Sequence, residues 1–160
     1  MKSKEVTNIA VFSAILFILS LIKFSIGPVP ITLQTLGVML AGSLLGSKKG
    51  FIATLVYTIV IFPKIFTLTG GFVVSFPFAA FLIGKYLEKN SFSGKNVIIA
   101  NFLFGVVLVY ILGGTVFAYI GGFTLSQTLS LAVLPFIIGD LLKVTIVYFI
   151  VTKYKKILVK

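Results

Sequence analysis

Two residues stand out chemically in this sequence, Asp140 and Lys143, because they interrupt an otherwise apolar run at residues 134–151. Each costs roughly 2.5–3.5 kcal/mol at the centre of a transmembrane helix. Three positions apart, they share one helical face and can reach each other. Ionisable groups kept in such a segment usually serve a ligand or a relay. Here Lys143 would pair with a ligand carboxylate, and Asp140 would accept hydrogen bonds from ligand N–H groups. The plainer alternative is a self-neutralising pair that lets the helix insert or fixes a bundle contact.

Three further groups of residues carry a signal. Around Thr32 and Gln34, the run PVPITLQT at 28–35 joins a stiff, proline-rich connector to polar side chains at the start of a helix. Thr32 or Thr35 would serve equally well as a helix cap. Thr69, Gly70, Gly71 and Phe72 combine a backbone that permits close approach with a ring that can stack on a ligand; the same residues would also make a simple turn. Ala10 and Ala14 place small residues four apart on the first helix, a spacing that lets another helix come close. That helix would belong to a partner or, more commonly, to the same bundle.

The rest of the composition excludes most other chemistry. The 160 residues contain no cysteine, histidine or tryptophan. Thiol nucleophiles, histidine bases and soft metal sites are therefore absent. The only carboxylates are Glu5, Glu88 and Asp140, too few and too scattered for paired-acid catalysis. A catalytic role is not expected. A net charge of +11 raises the question of nucleic acid, but the lysines sit in short connectors and tails, not along one face, so nucleic acid is not an expected partner.

The elements that must position these groups belong in lipid. Hydrophobic residues make up 59% of the chain and charged residues 11%, with a mean hydropathy of +1.20. Water-soluble domains carry about a quarter charged residues. Apolar segments at 8–26, 32–45, 51–62, 71–86, 97–119 and about 135–153 predict six transmembrane helices, with 125–134 a separate short helix or interfacial stretch. The second and third are short. No small-residue cleavage site precedes Lys23, so the first segment reads as a helix and not a signal peptide. With both termini cytoplasmic, eleven lysines (Lys2, Lys4, Lys48, Lys49, Lys85, Lys89, Lys95, Lys153, Lys155, Lys156 and Lys160) lie inside. Only Lys23 and Lys64 lie outside, a strong positive-inside bias. The expected protein is a single all-α, multi-pass domain over residues 1–160 in the cell membrane.

These motifs together resemble a known family. VPITLQTLGVMLAG at 29–42, TGGF at 69–72 and GDLLK at 139–143 occur in the order and places seen in BioY, the biotin-specific substrate-binding (S) subunit of energy-coupling-factor (ECF) transporters. The resemblance covers nearly the whole chain. It implies a bacterial or archaeal protein with a six-helix bundle that captures biotin at its outer face. Asp140 and Lys143 would lie in the binding site, and residues 27–35 would cover it. Ala10 and Ala14 would dock the transmembrane coupling subunit, while two ATP-binding subunits drive transport. No cofactor is implied for this chain. One departure is the segment at 62–71, which contains Lys64 and is shorter than the glycine-rich segment usual in the family. Other readings are an S subunit for a different carboxylate-bearing vitamin or precursor, or a structural or assembly membrane protein.

Overall fold

A computed structural model describes residues 3–24, 29–90 and 92–158, the last four as backbone alone. The elements are α1 (Ser3–Leu21), β1 (Lys23–Phe24), β2 (Ile31–Thr32), α2 (Gln34–Leu45), α3 (Ser47–Val60), α4 (Gly70–Lys89), α5 (Gly94–Ala100), α6 (Leu108–Gly121), α7 (Leu125–Ala132) and α8 (Ile137–Leu158). The all-helical class expected from composition is what the chain adopts, apart from one two-stranded pairing.

That pairing explains where α1 stops. Lys23 stands opposite Thr32 and Phe24 opposite Ile31 in antiparallel register, so α1 ends at Leu21 and not at the expected residue 26. Val29 precedes Pro30, a position biased away from helix, which favours an extended return strand. Residues 25–28 lie outside the described set, including Gly27 and Pro28 of the expected cover. Thr32 belongs to β2, so α2 begins at Gln34 and not at Thr32.

At the opposite end of α2, the expected five-residue connector shrinks to a single residue. Gly46, at φ 80°, turns the chain, and α3 starts at once with Ser47. Glu88 of α4 makes this possible. Its carboxylate accepts the Ser47 N–H and the Ser47 hydroxyl, both at 2.7 Å. An acid at a helix N-terminus satisfies an otherwise orphaned donor and complements the helix dipole. Gly84 lets α4 come this close, since a Cβ there would stand 2.2 Å from the Ser47 nitrogen.

α4 is the central element, burying Val73, Phe76, Ala79, Ala80 and Ile83 among its neighbours. α5 continues through a π-helical stretch, Asn101–Val107, into α6, giving one apolar rod, Gly94–Gly121. Inside it, buried Asn101 donates to Ser43 of α2 at 3.0 Å, pinning the two helices. α7 begins with a full capping box between Thr124 and Gln127. Pro135 sits in a 3₁₀ turn, so α8 starts at Ile137, two residues later than expected.

Ser3–Leu21, Gly70–Lys89, Gly94–Gly121 and Leu125–Tyr154 are long and apolar enough to cross a membrane. α2, with 12 residues, and α3, with 14, are not. At 1.5 Å per residue they reach about 18 and 21 Å, short of a hydrocarbon core about 30 Å thick. Their shared end is covered by Gly84 and Glu88 of α4, the kind of cover under which short membrane helices are tolerated.

Candidate functional site

Asp140 lies in the first turn of α8, where the helix dipole favours a negative charge, and Lys143 follows one turn later. Both are buried, at 3% and 6% exposure. The Lys143 Nζ stands 2.7 Å from Asp140 Oδ1 and also donates to Thr35 Oγ1 at 2.9 Å. Thr35 in turn donates to Asp140 Oδ1 at 3.2 Å. The other carboxylate oxygen, Oδ2, accepts the Tyr110 hydroxyl at 2.5 Å. Three helices, α2, α6 and α8, thus meet in one compensated polar cluster within an apolar bundle.

A second polar set lies beside it. Thr32 Oγ1 donates to Gln34 Oε1 at 3.0 Å, and Gln34 Nε2 donates to the Tyr57 hydroxyl. Gln34 is buried and Tyr57 fully so. The Gln34 amide is therefore oriented from both ends, with its carbonyl toward the β2 residue and its NH₂ toward α3.

Both sets open onto one cavity. Its polar wall comes from Thr32, Gln34, Thr35, Tyr110, Asp140 and Lys143, with Lys64 and Thr69 added by the α3–α4 connector. The apolar wall is Phe72, Val73 and Phe76 of α4, Val109 of α6, Ala132 of α7, Phe136, and Val29 and Pro30 next to β2. Val29, Phe117 and Ala132 form a small core with Leu68, Phe72 and Phe136, which ties these connectors together around the cavity. A largely apolar pocket with a few convergent polar groups is the usual form of a small-molecule site. Among the described residues, no three His, Cys, Asp or Glu side chains gather to hold a metal.

The residues singled out from sequence divide as follows. Asp140, Lys143, Gln34, Thr32, Thr69 and Phe72 line the cavity. Gly70 and Gly71 do not. They are buried in the first turn of α4, where added Cβ atoms would strike Ile65 O at 1.8 Å and Val116 Cβ at 2.4 Å. Their place is to bring α4 against its neighbours. Ala10 and Ala14 are both exposed on the face of α1 turned away from the bundle, while Ile9, Ser13 and Leu16 face inward. Packing inside the bundle, the alternative for these alanines, is not what the fold uses them for.

Tyr110 and Tyr57, which were not among the sequence candidates, and Thr35, read from sequence only as a helix cap in the 28–35 run, complete the site. The available signal was their hydroxyls, since each offers a donor in a segment that is otherwise nearly all apolar. Lys64 was visible only as a lysine in the connector at 62–71. Its ammonium is held below the usual lysine range, first by burial and then by the charge of Lys23.

Comparison with known proteins gives a consistent result. The BioY family profile matches residues 1–160. The chain is 36% identical over 156 residues to the probable biotin transporter BioY of Pyrococcus horikoshii, covering 89% of this chain and 91% of that one. It is 34% identical over 172 residues to the probable biotin transporter BioY of Bacillus subtilis, covering 96% and 91%. It is 32% identical over 171 residues to the biotin transporter BioY of Rhizobium etli, covering 91% and 90%. Among solved structures, the S-component for biotin from an ECF-type ABC transporter superposes with a TM-score of 0.88 at 29% identity, covering 98% of this chain and 95% of the other.

Proposed function

The chain belongs to the BioY family, and we propose that it captures biotin as the S subunit of an ECF transporter. It is a transport subunit and not an enzyme. The observation that carries this reading is the buried cluster of Asp140, Lys143, Tyr110 and Thr35 facing a mostly apolar cavity. Biotin offers a ureido group with N–H donors and a carbonyl acceptor, an apolar bicyclic ring and chain, and one carboxylate. Each part finds a complement in the cavity wall. A ligand that leaves one of these polar groups unpaired loses affinity steeply, which gives such a site its selectivity.

The bundle crosses the cell membrane six times, with α1, α2, α3, α4, the α5–α6 rod and α8 as the crossing units and both termini cytoplasmic. Eleven lysines on the cytoplasmic side support this arrangement. The cavity then opens outward. The exposed Ala10 and Ala14 form the contact for the transmembrane coupling subunit, and two ATP-binding subunits supply the energy.

Titration calorimetry of the detergent-purified protein with biotin tests the reading. Saturable binding that is lost in Asp140→Ala and Lys143→Ala supports it. Absence of biotin binding, or binding of another carboxylate-bearing vitamin in its place, overturns it. Unchanged affinity in both variants overturns the site.

A further inference from the structure

The cavity carries more positive charge than its own residues can balance. The chain has three carboxylates, and each is already engaged. Glu5 is paired with Lys49 at 3.0 Å, Glu88 caps α3, and Asp140 holds Lys143. Lys64 also lines the cavity, half-buried, and among the described residues none of these three carboxylates forms an ion pair with it. Counting Asp140 as −1 and Lys143 and Lys64 as +1 each, the cavity wall carries a formal charge of +1. A monoanion neutralises it.

We infer that Lys64, and not Lys143, receives the carboxylate of the bound ligand, while the Asp140–Lys143–Tyr110–Thr35 cluster reads its neutral ureido ring. The inference rests on the biotin reading above and refines it. Lys143 donates to both Asp140 and Thr35, so a second carboxylate would have to compete with the one it already holds. Lys64 has no such competitor. It sits in the 3₁₀ turn Phe62–Phe66 between α3 and α4, on a different wall from α8, which separates the two ends of an elongated ligand. Its ammonium is disfavoured by burial and by Lys23, and the charge of an arriving anion offsets both effects. Thr69, also lining the cavity from this connector, adds a neutral hydroxyl.

The test is a cycle between one protein charge and one ligand charge. Biotin and its primary amide share the ureido ring and the chain and differ only in the carboxylate. Wild-type protein is expected to bind biotin about 10- to 100-fold more tightly than the amide, the range for a hydrogen bond to a charged group. Lys64→Met should bring biotin down to the amide's affinity while leaving the amide unchanged, and the retained amide binding shows in the same protein that the fold is intact. Lys64→Arg should keep the preference. Lys143→Met should weaken both ligands alike. Equal weakening of both ligands by Lys64→Met, no effect of that change, or loss of the acid-over-amide preference in Lys143→Met overturns the inference while the biotin reading stands. Wild-type protein that binds neither ligand overturns both.

Discussion

The Lys143 ammonium stands 2.7 Å from the Asp140 carboxylate, with both side chains buried. A buried pair of this kind contributes little net stability, because desolvation offsets most of the attraction. Removing one partner, however, strands a charge at a cost of about 3–5 kcal/mol. Lys143→Met and Asp140→Leu are therefore each expected to lower the thermal midpoint in detergent, and the double variant to recover most of the loss while binding no biotin. A double variant less stable than either single one would show that the pair holds the bundle together on its own account.

Tyr110 is the third member of the cluster and closes the second oxygen of Asp140. Tyr110→Phe keeps the ring in place and removes only the donor. The carboxylate then loses its alignment, and biotin affinity is expected to fall about 10-fold or more, as for one hydrogen bond to a charged group. Calorimetry on the variant checks this, and an affinity within twofold of wild type would remove Tyr110 from the site.

How much of this was legible beforehand depended on contrast. Asp140 and Lys143 were visible because charge is conspicuous in an apolar run. Tyr110 was hidden by its own apolar character and by the π-helical stretch Asn101–Val107 just before it, which takes the following residues out of the regular 3.6-residue phase. The early end of α1 was hidden because a two-residue strand pairing leaves almost no periodicity to read. The start of α3 depends on Glu88, forty-one residues away in sequence, and no local signal at Gly46–Gly50 announces a cap supplied by another helix.

Glu88 and Gly84 also make the α2–α3 turn a separate point of stability, at the other end of the bundle from the cavity. Glu88→Ala leaves the Ser47 N–H without its cap and is expected to lower stability by about 0.5–2 kcal/mol. Gly84→Leu drives a side chain into the Ser47 backbone and should cost more. Both variants that remain folded should bind biotin as wild type does. A change in biotin affinity with little change in thermal midpoint would mean that the turn communicates with the site.

Ala10 and Ala14 lie on the free face of α1. Replacing both by tryptophan adds bulk where a partner helix would approach and leaves the inward residues Ile9, Ser13 and Leu16 untouched. Co-purification with the coupling subunit is expected to drop, with the biotin affinity of the isolated chain unchanged. Full complex recovery would place the docking face elsewhere on the bundle.

Lys64 predicts a dependence of binding on pH. In the free protein its ammonium is held below the usual lysine range, by burial first and by Lys23 second. A bound carboxylate favours the charged form and brings that value back up, so the complex holds a proton that the free protein has begun to release. Affinity for biotin is therefore constant from the pH at which the ligand carboxylate is ionised up to the free-state value of Lys64 and declines as pH rises through it, with binding taking up protons from the buffer over that upper window. The other charged groups facing the cavity, Asp140 and Lys143, compensate each other, and Lys23 is exposed beside the connector. Calorimetry in buffers of different ionisation enthalpy measures the proton uptake directly. Lys64→Met should abolish the uptake and flatten the profile, and so should replacing biotin by its amide; an unchanged profile in the variant would assign the titration to another group.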